Sequence, residues 1–327
     1  MDRRQILGLA AGGLFAGLDA APASAQTSAQ AWPQRIVKFI LPLGPGSGVD
    51  IGARLFADRL SAKWGKPVVV ENRPGGDAIV AIMAFTAAND DHVLLMAPTS
   101  TFTALPFIHD KIPYDMRDLV PIARITNTIV AAGVPVSLNV NTLKEFIDLA
   151  RAKPGQFNSA GTTGAVDFVV AGFLKEAGVD VSKVPYRDGV QAVNDLAEGR
   201  IQLYVAALAI MRPQVQAGKV KIIAVTNHER APILPNVPTA MEAGYPALEF
   251  DGLVGLFGPR TMAAELRDRI AADVVEVAKD PEIASKLTAT AQVLRAGGSA
   301  EFAREIEEQR ARVAAAAKAA GFRQLSQ

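Results

Sequence analysis

The sequence predicts an α/β fold organised in two domains. Short runs rich in Val, Ile and Leu alternate along the chain with segments of amphipathic helical spacing. Glycine-rich loops follow several of these runs, as expected where a strand turns into a helix. Without an N-terminal segment of 25 residues, the 327-residue chain still has about 300, more than one hydrophobic core usually fills.

The N-terminal segment has the features of a cleavable signal peptide. Arg3 and Arg4 form a basic head, residues 6–18 form an apolar run, and residues 23–25 (Ala-Ser-Ala) offer the small-residue site that signal peptidase cleaves. The run is shorter than the roughly 20 apolar residues that a permanent membrane span needs. We predict a signal peptide over residues 1–25 and a periplasmic protein. The arginine pair resembles a twin-arginine signal; an ordinary secretory signal is the alternative.

The composition excludes several classes of protein. The chain has no cysteine, so neither disulfides nor thiolate metal sites can form. The formal net charge is +1 with acids and bases interleaved, which excludes the basic surface that binds nucleic acid or anionic membranes. We expect no metal, no cofactor and no nucleic-acid partner, and a monomer stabilised by ordinary core burial.

Strand–helix–strand units make up the first part of the chain. Residues 36–41 predict a strand, 50–64 a helix, 68–70 a strand, 78–88 a helix and 93–96 a strand. Units of this size imply a parallel sheet with helices on its faces.

A second set of such units begins near Ala123. Its predicted strands are 129–134, 157–159, 181–184, 201–206 and 222–226, and its helices are 142–152, 162–177 and 192–198. A stretch rich in proline and glycine, 232–246, then leads to a strand at 253–257 and two helices at 263–279 and 300–320. In a parallel sheet, ligands bind in loops at the carboxyl ends of strands. The loops of interest are therefore 43–50, 97–103, 159–164 and 186–189.

The loop between the first strand and the first helix is a candidate anion site. Its glycines let the backbone approach a ligand, and free amides at a helix N-terminus attract negative charge. The candidate ligand-binding residues are Gly46, Ser47, Gly48 and Asp50, and Ser47 or Asp50 could cap the helix. The alternative is a tight turn that binds nothing.

A similar loop precedes a long helix in the second half. Gly161, Thr162 and Thr163 bring small hydroxylated residues and glycine to one point. The threonines could instead cap the helix, and both roles are compatible. Two such helix N-termini, one in each half, could grip the two ends of a dianion.

Two further loops supply polar side chains. Thr99 and Ser100 follow the third strand and offer hydroxyl groups. Arg187 ends another strand and could bind a carboxylate bidentately, although a local pair with Asp188 is an equal alternative.

Catalytic groups are poorly represented. His92, His109 and His228 lie far apart, with no carboxylate at metal-ligand spacing. Pro45 stands where a nucleophile elbow needs glycine, and a cysteine nucleophile is absent. We therefore expect no enzyme activity.

A dinucleotide-dependent oxidoreductase is the alternative from the enzyme class. Gly44 and Gly46 match the first two glycines of G-x-G-x-x-G, and Glu71 lies about where a ribose acceptor belongs. Val49 occupies the third position, where a side chain obstructs helix–strand packing.

Taken together, the motifs resemble the Bug family, the periplasmic receptors of tripartite tricarboxylate transporters, over essentially the whole mature chain. The matching residues are 42–50 with 53–54, 70–75, 184–186 with 195–196 and 199, 217–219 with 224–226, 235–239 and 242–244.

The resemblance implies a Venus-flytrap fold (type II periplasmic binding protein). Each domain would be a mostly parallel sheet with flanking helices, with 32–125 plus 230–327 as domain 1 and 126–229 as domain 2. Two crossover strands would join them, and we expect hinge bending near 124–132 and 225–232.

The resemblance further implies a small carboxylate bound in the interdomain cleft, largely by backbone amides, and delivery to membrane permease subunits. It assigns this role to Gly46, Ser47, Gly48, Asp50, Thr99, Ser100, Gly161, Thr162 and Thr163.

The chain departs from the family pattern at several positions. Asp77 stands in a segment where alanine and glycines are common, Asp167 replaces a frequent histidine, and Arg187 stands where lysine is usual. Residues 90–92 replace a Pro-Asp-Gly turn. These departures favour a ligand other than a plain dicarboxylate. The sequence does not name the ligand, and citrate-like, aromatic and amino-dicarboxylate ligands all remain open.

Overall fold

The computed structural model describes three stretches of the chain, residues 32–161, 164–186 and 188–325. The predicted signal peptide lies outside the described residues, as do three predicted site residues, Thr162, Thr163 and Arg187. In the described part, no helix is both long and apolar enough to cross a membrane.

Strands and helices alternate along the described chain. The strands are β1 (Val37–Leu41), β2 (Val68–Asn72), β3 (Val93–Pro98), β4 (Val120–Thr128), β5 (Val130–Pro135), β6 (Phe157–Gly161), β7 (Val181–Pro185), β8 (Leu203–Ala207), β9 (Val220–Val225), β10 (Gly252–Gly258) and β11 (Gln292–Gly297). The helices are α1 (Gly48–Trp64), α2 (Ile79–Ala88), α3 (Ser100–Thr103), α4 (Leu143–Ala152), α5 (Ala165–Glu176), α6 (Gly189–Ala197), α7 (Leu208–Gln216), α8 (Ala264–Val277), α9 (Pro281–Ala289) and α10 (Ser299–Ala320).

The strands form two separate sheets. The first has the order β11-β4-β10-β3-β1-β2, and the second β7-β6-β8-β5-β9. We call the first sheet with its flanking helices lobe 1, and the second sheet with its flanking helices lobe 2. The chain passes from lobe 1 to lobe 2 between β4 and β5 and returns between β9 and β10.

The predicted fold class, a two-domain α/β protein, is confirmed, although both sheets are mixed where mostly parallel ones were predicted. In lobe 1, β1 is parallel to β2 and β3, whereas β10 is antiparallel to β3 and β4. In lobe 2, β6 is parallel to β7 and β8, whereas β5 is antiparallel to β8 and β9. Strands joined by a crossover helix return parallel. The strands that enter or leave through the crossovers lack such a helix and pair antiparallel.

Helix α10 also joins the two lobes, in addition to the two chain crossovers, because its two halves pack in different hydrophobic cores. Phe302 and Ile306, in its first half, belong to the lobe 1 core, where Phe302 packs 5.3 Å from Phe257 between ring centroids. Val313 and Ala317, in its second half, belong to the lobe 2 core. One continuous helix therefore contributes to both hydrophobic cores.

The segment between β9 and β10 packs on lobe 2. Ala231 joins one of the lobe 2 core clusters, and Ala240, Leu248 and Phe250 join the other. The sequence placed residues 231–250 in domain 1, because this proline- and glycine-rich stretch has no periodicity to show which core it joins. The other domain boundaries stay predictions.

Local sequence signals explain where several helices begin and end. Ser47 is the N-cap of α1 and accepts a hydrogen bond from the amide of Asp50, and Gly65 ends the helix in the left-handed conformation with φ 65°. Thr142 caps α4 in the same way, through the amide of Glu145. Helix α5 begins at Ala165 with Gly164 at its N-cap, later than the predicted start at residue 162.

Candidate functional site

Segments that follow the carboxyl ends of parallel strands in the two lobes contact each other. Helices α1 and α3 follow β1 and β3 in lobe 1, and α5 follows β6 in lobe 2. Helix α3 contacts α5. Just beyond α3, the ring of Phe107 lies 5.5 Å from that of Phe168 in the first turn of α5, measured between centroids. The carboxyl ends of strands are where α/β proteins bind ligands, and we call the space between these segments the cleft.

A buried carboxylate shapes the first loop of the cleft. Asp50 is 2% exposed. Its carboxylate accepts hydrogen bonds from the amide of Gly46 at 2.9 Å, from Nε and Nη2 of Arg54 at 3.1 and 3.0 Å, and from Nδ2 of Asn72 at 2.9 Å. Asn72 also donates to the carbonyl of Leu43. This cluster joins the end of β2 to the loop after β1.

These contacts keep Asp50 ionised. Burial alone would raise its pKa, but the hydrogen bonds from Arg54, Gly46 and Asn72 together outweigh burial and lower the pKa. A carboxylate held in this way determines the shape of the loop.

The first turn of α1 presents backbone donors. Ser47 already caps the amide of Asp50, whereas the amides of Gly48 and Val49 have no acceptor among the described residues. Gly46 has φ +83°, and no described residue comes within 4 Å of the position of a Cβ at Gly46. The loop is therefore open on one side, with a helix N-terminus directed into it.

Gln292 supports the same turn from behind. A Cβ at Gly48 would lie 2.9 Å from Nε2 of Gln292. The Oε1 of Gln292 accepts hydrogen bonds from the hydroxyls of Thr126 and Thr128, at 3.0 and 3.1 Å. Glycine at position 48 thus allows α1 to approach β11 closely.

The two hydroxyl residues after β3 differ in their surroundings. Thr99 is fully buried, and its hydroxyl donates to Oε1 of Gln309 in α10 at 2.5 Å. Gln309 in turn donates to the carbonyl of Asp251 at 2.8 Å. Ser100 is partly exposed at the start of α3. Thr99 thus joins the end of β3 to α10, whereas Ser100 is partly accessible to solvent.

In lobe 2, Gly161 ends β6 next to a lysine. A Cβ at Gly161 would come within 2.1 Å of Cε of Lys183, so the lysine side chain lies against this glycine. The Nζ of Lys183 lies 2.5 Å from Oδ2 of Asp167. Tyr186 donates its amide to the carbonyl of Gly161 at 2.9 Å, and Asp188 caps α6.

Two of the departures from the family pattern place an aspartate next to a histidine, Asp77 beside His109 and Asp91 beside His92. Asp77 has φ 52°, and its carboxylate lies 3.0 Å from Nε2 of His109. Asp90, Asp91 and His92 bring three possible metal-ligating atoms together, although the sequence suggested no carboxylate at such spacing. Adjacent residues meet here because a tight turn folds them back on one another.

Both nitrogens of His92 are engaged within the protein. The Nδ1 lies 2.5 Å from Asp91, and the Nε2 accepts a hydrogen bond from the amide of Gln34 at 3.2 Å. Asp90 binds Arg35 through both carboxylate oxygens. The group therefore fixes the chain before β1 to the turn before β3.

The sequence did not single out all of the residues that build the site. Arg54 and Asn72 belong to the motifs of the family resemblance, which assigns them no role, and no sequence motif indicates Gln292, Gln309 or Lys183. The spacing of Asp50 and Arg54, four residues apart on one helix face, was an available signal. The others depend on strands and helices that are distant in sequence.

The chain has two α/β lobes joined by two crossovers, an arrangement typical of bilobal solute-binding proteins. The family model described as "Tripartite tricarboxylate transporter family receptor" (TctC) matches residues 52–322. The chain therefore belongs to this family, which includes the Bug proteins, and it is a periplasmic solute-binding protein of the TctC type.

Relatives agree with this assignment. The chain is 30% identical to a UPF0065 protein of Pseudomonas sp. (strain P51), over 88% of each chain. It is 29% identical to the protein BugT of Bordetella pertussis, over 69% of this chain and 70% of that one.

Solved structures show the same fold. One described as a periplasmic transporter has a TM-score of 0.74 and 29% identity, over 86% of this chain and 96% of that one. R. palustris Rpa4515 with adipate has a TM-score of 0.76 and 26% identity, over 89% of this chain and 99% of that one.

Proposed function

We propose that the protein captures a small carboxylate in its cleft and delivers it to membrane permease subunits of a tripartite tricarboxylate-type transporter. It acts as a receptor, without catalysis. An export signal at residues 1–25, cleaved during secretion, is part of this proposal. Closure of the lobes over the ligand is the change that a permease would detect.

The observation that carries the proposal is the first turn of α1 at the cleft. The amides of Gly48 and Val49 lack protein acceptors, and Gly46 keeps the approach to them open. Backbone donors at a helix N-terminus favour an anion. A hydrogen bond to a charged group contributes about 1.5–3 kcal/mol, so a few such donors suffice for specific binding.

The proposed ligand contacts divide into two groups. Gly46, Ser47, Gly48 and Ser100 contact the ligand in lobe 1. In lobe 2 it is contacted by Gly161, Thr162 and Thr163 after β6 and by Arg187 after β7. The structure favours supporting roles for Asp50 and Thr99, because their polar atoms already bind Arg54, Asn72 and Gln309. The adipate of Rpa4515 supports a dicarboxylate as the first class to test.

The dinucleotide alternative is disfavoured by the surroundings of Glu71. Its carboxylate binds Lys38 at 2.6 Å and also pairs with Arg73. Side-chain hydrogen bonds from Lys38 and Arg73 lower its pKa. A ribose would have to displace these partners.

A thermal-shift screen with carboxylates tests the function. A ligand that binds the folded state at 100 times its Kd stabilises it by about 2.7 kcal/mol. The melting temperature should rise with at least one carboxylate, and the purified protein should show no near-ultraviolet or visible cofactor absorption. A bound chromophore, or no response to any carboxylate, would contradict the proposal.

Ser47→Leu tests the location of the site. A bulky side chain at the start of α1 should abolish the ligand-induced shift. Thr142→Leu is the matched control, because Thr142 caps α4 in the same way at the opposite edge of the lobe 2 sheet. Each variant loses about 1 kcal/mol of capping stabilisation, but the control should keep the full ligand response. A normal response in Ser47→Leu would place the ligand elsewhere.

A further inference from the structure

Lys183 is held at the cleft edge of lobe 2 by two contacts. Its aliphatic carbons lie on Gly161, where a Cβ would collide with Cε and Cδ at 2.1 and 2.9 Å. Its Nζ lies 2.5 Å from the carboxylate of Asp167 in the first turn of α5. The ammonium group therefore lies between the end of β6 and the first turn of α5.

The two partners of this ion pair differ in burial. The side chain of Asp167 is 12% exposed, whereas that of Lys183 is 50% exposed. The acid is fixed by its surroundings, and the lysine reaches it from the edge strand β7 on a flexible stem. Lys183 also lines a cavity of about 280 Å³ with Ser159 and Lys175, which gives its side chain room to move.

Asp167 occupies the kind of position that a ligand carboxylate would take. It lies in the first turn of a helix, where the dipole favours negative charge, and it has a lysine as partner. A ligand carboxylate that approaches the start of α5 would meet the same helix N-terminus and the ammonium group of Lys183.

We propose that Lys183 is a specificity-determining residue for the second anionic end of the ligand. This inference rests on the proposed carboxylate-binding function. Asp167 holds the lysine while the cleft is empty, and a ligand carboxylate replaces Asp167 as its partner when the lobes close. The first carboxylate is bound by the amides at α1. The protein therefore selects dianions over monoanions of equal length. The ammonium is a point charge without a planar fork, so it tolerates dianions of different shape.

Opposite effects of two variants test this role. Titration calorimetry would compare succinate, glutarate, adipate and pimelate with the monocarboxylates of equal length. For the dicarboxylate that binds best, Lys183→Met should weaken affinity about tenfold or more, because one hydrogen bond to a charged group is lost. Asp167→Asn should strengthen it about three- to tenfold, because a competing negative charge is removed. Monocarboxylate affinity should change less than about twofold in both variants.

Two controls separate this role from a structural one. Lys183→Arg keeps the charge and should stay within about threefold of the wild type. Lys175→Met removes an exposed lysine from the same cavity and should leave affinity unchanged. If Asp167→Asn weakens dicarboxylate binding as Lys183→Met does, or if mono- and dicarboxylates respond equally, the ion pair is structural and the inference is wrong. A wild-type protein that binds none of these acids would instead refute the proposed dicarboxylate function.

Discussion

Asp50→Asn should destabilise the protein substantially. The substitution keeps the shape of the side chain but removes the charge that Arg54 pairs with. It also replaces one acceptor oxygen with an NH2 donor, which would face the N–H donor of Gly46 or of Asn72. Breaking a buried pair costs about 3–5 kcal/mol. The arginine side chain is 52% exposed and regains water, so we expect a loss of about 2–4 kcal/mol. At about 3 °C per kcal/mol, the melting temperature should fall by roughly 6–12 °C.

The loss of stability in Asp50→Asn should depend on pH, and the pKa of Asp50 gives the direction of this dependence. The lowered pKa of Asp50 means that its contribution is fully present above the pKa of an unfolded aspartate, about 4. It is lost as the pH falls through the lower pKa of the folded state. The difference in melting temperature between wild type and Asp50→Asn should therefore be largest at neutral pH and should decrease in acid.

The assay is thermal unfolding followed by circular dichroism between neutral and acidic pH. Asp58→Asn is the matched control, because Asp58 lies on the same helix with its side chain 74% exposed and pairs with Arg59 at the surface. It should shift the melting temperature by less than about 2 °C. The reasoning would be refuted if the two variants melted alike at neutral pH, or if the gap for Asp50→Asn widened in acid.

Two further substitutions test the supports of the cleft. Gly48→Ala would bring a Cβ to 2.9 Å from Gln292, and through overpacking it should lower the free energy of unfolding in urea by about 1–3 kcal/mol. Gly44→Ala is the control and should be neutral, because no described residue lies within 4 Å of its Cβ position. Equal effects of the two variants would contradict the close packing at Gly48. Gln309→Leu removes the buried partner of the Thr99 hydroxyl and should cost about 1–3 kcal/mol by the same measurement, and an unchanged unfolding midpoint would contradict this link.

Strong periodicity made several elements predictable. The helix predicted over 50–64 is found as α1 at 48–64, and the strand predicted over 93–96 is found as β3 at 93–98. Elements with mixed signals were missed. Helix α7 contains Pro213, which indicates a break, and the half-buried centre of β11 lacks a clear apolar face. Helix α9 was missed although its start signal is clear, with Asp280 as N-cap followed by Pro281.

The loops at the strand ends were predictable, because strand ends and glycine positions are local properties; their binding of a ligand stays a prediction. Which polar side chains in these loops are already bound by the protein was not predictable. Asp50 and Thr99 have polar side chains at the right strand ends, yet their partners Asn72 and Gln309 lie 22 and 210 residues away. Whether a polar group is free for a ligand depends on such long-range contacts, which periodicity does not reveal.

The placement of α10 limits how the receptor can change shape. A helix of 22 residues is about 33 Å long, and its apolar side chains are embedded at both ends in different cores. Sliding the lobes apart along this rod would expose Phe302 or Val313 to water, with a penalty of about 1.5–3 kcal/mol for each. Rotation about an axis close to α10 keeps both ends of the helix buried in their hydrophobic cores. We expect the two lobes to rotate about an axis close to α10, so that the open and closed forms are two well-defined conformations instead of a continuous range.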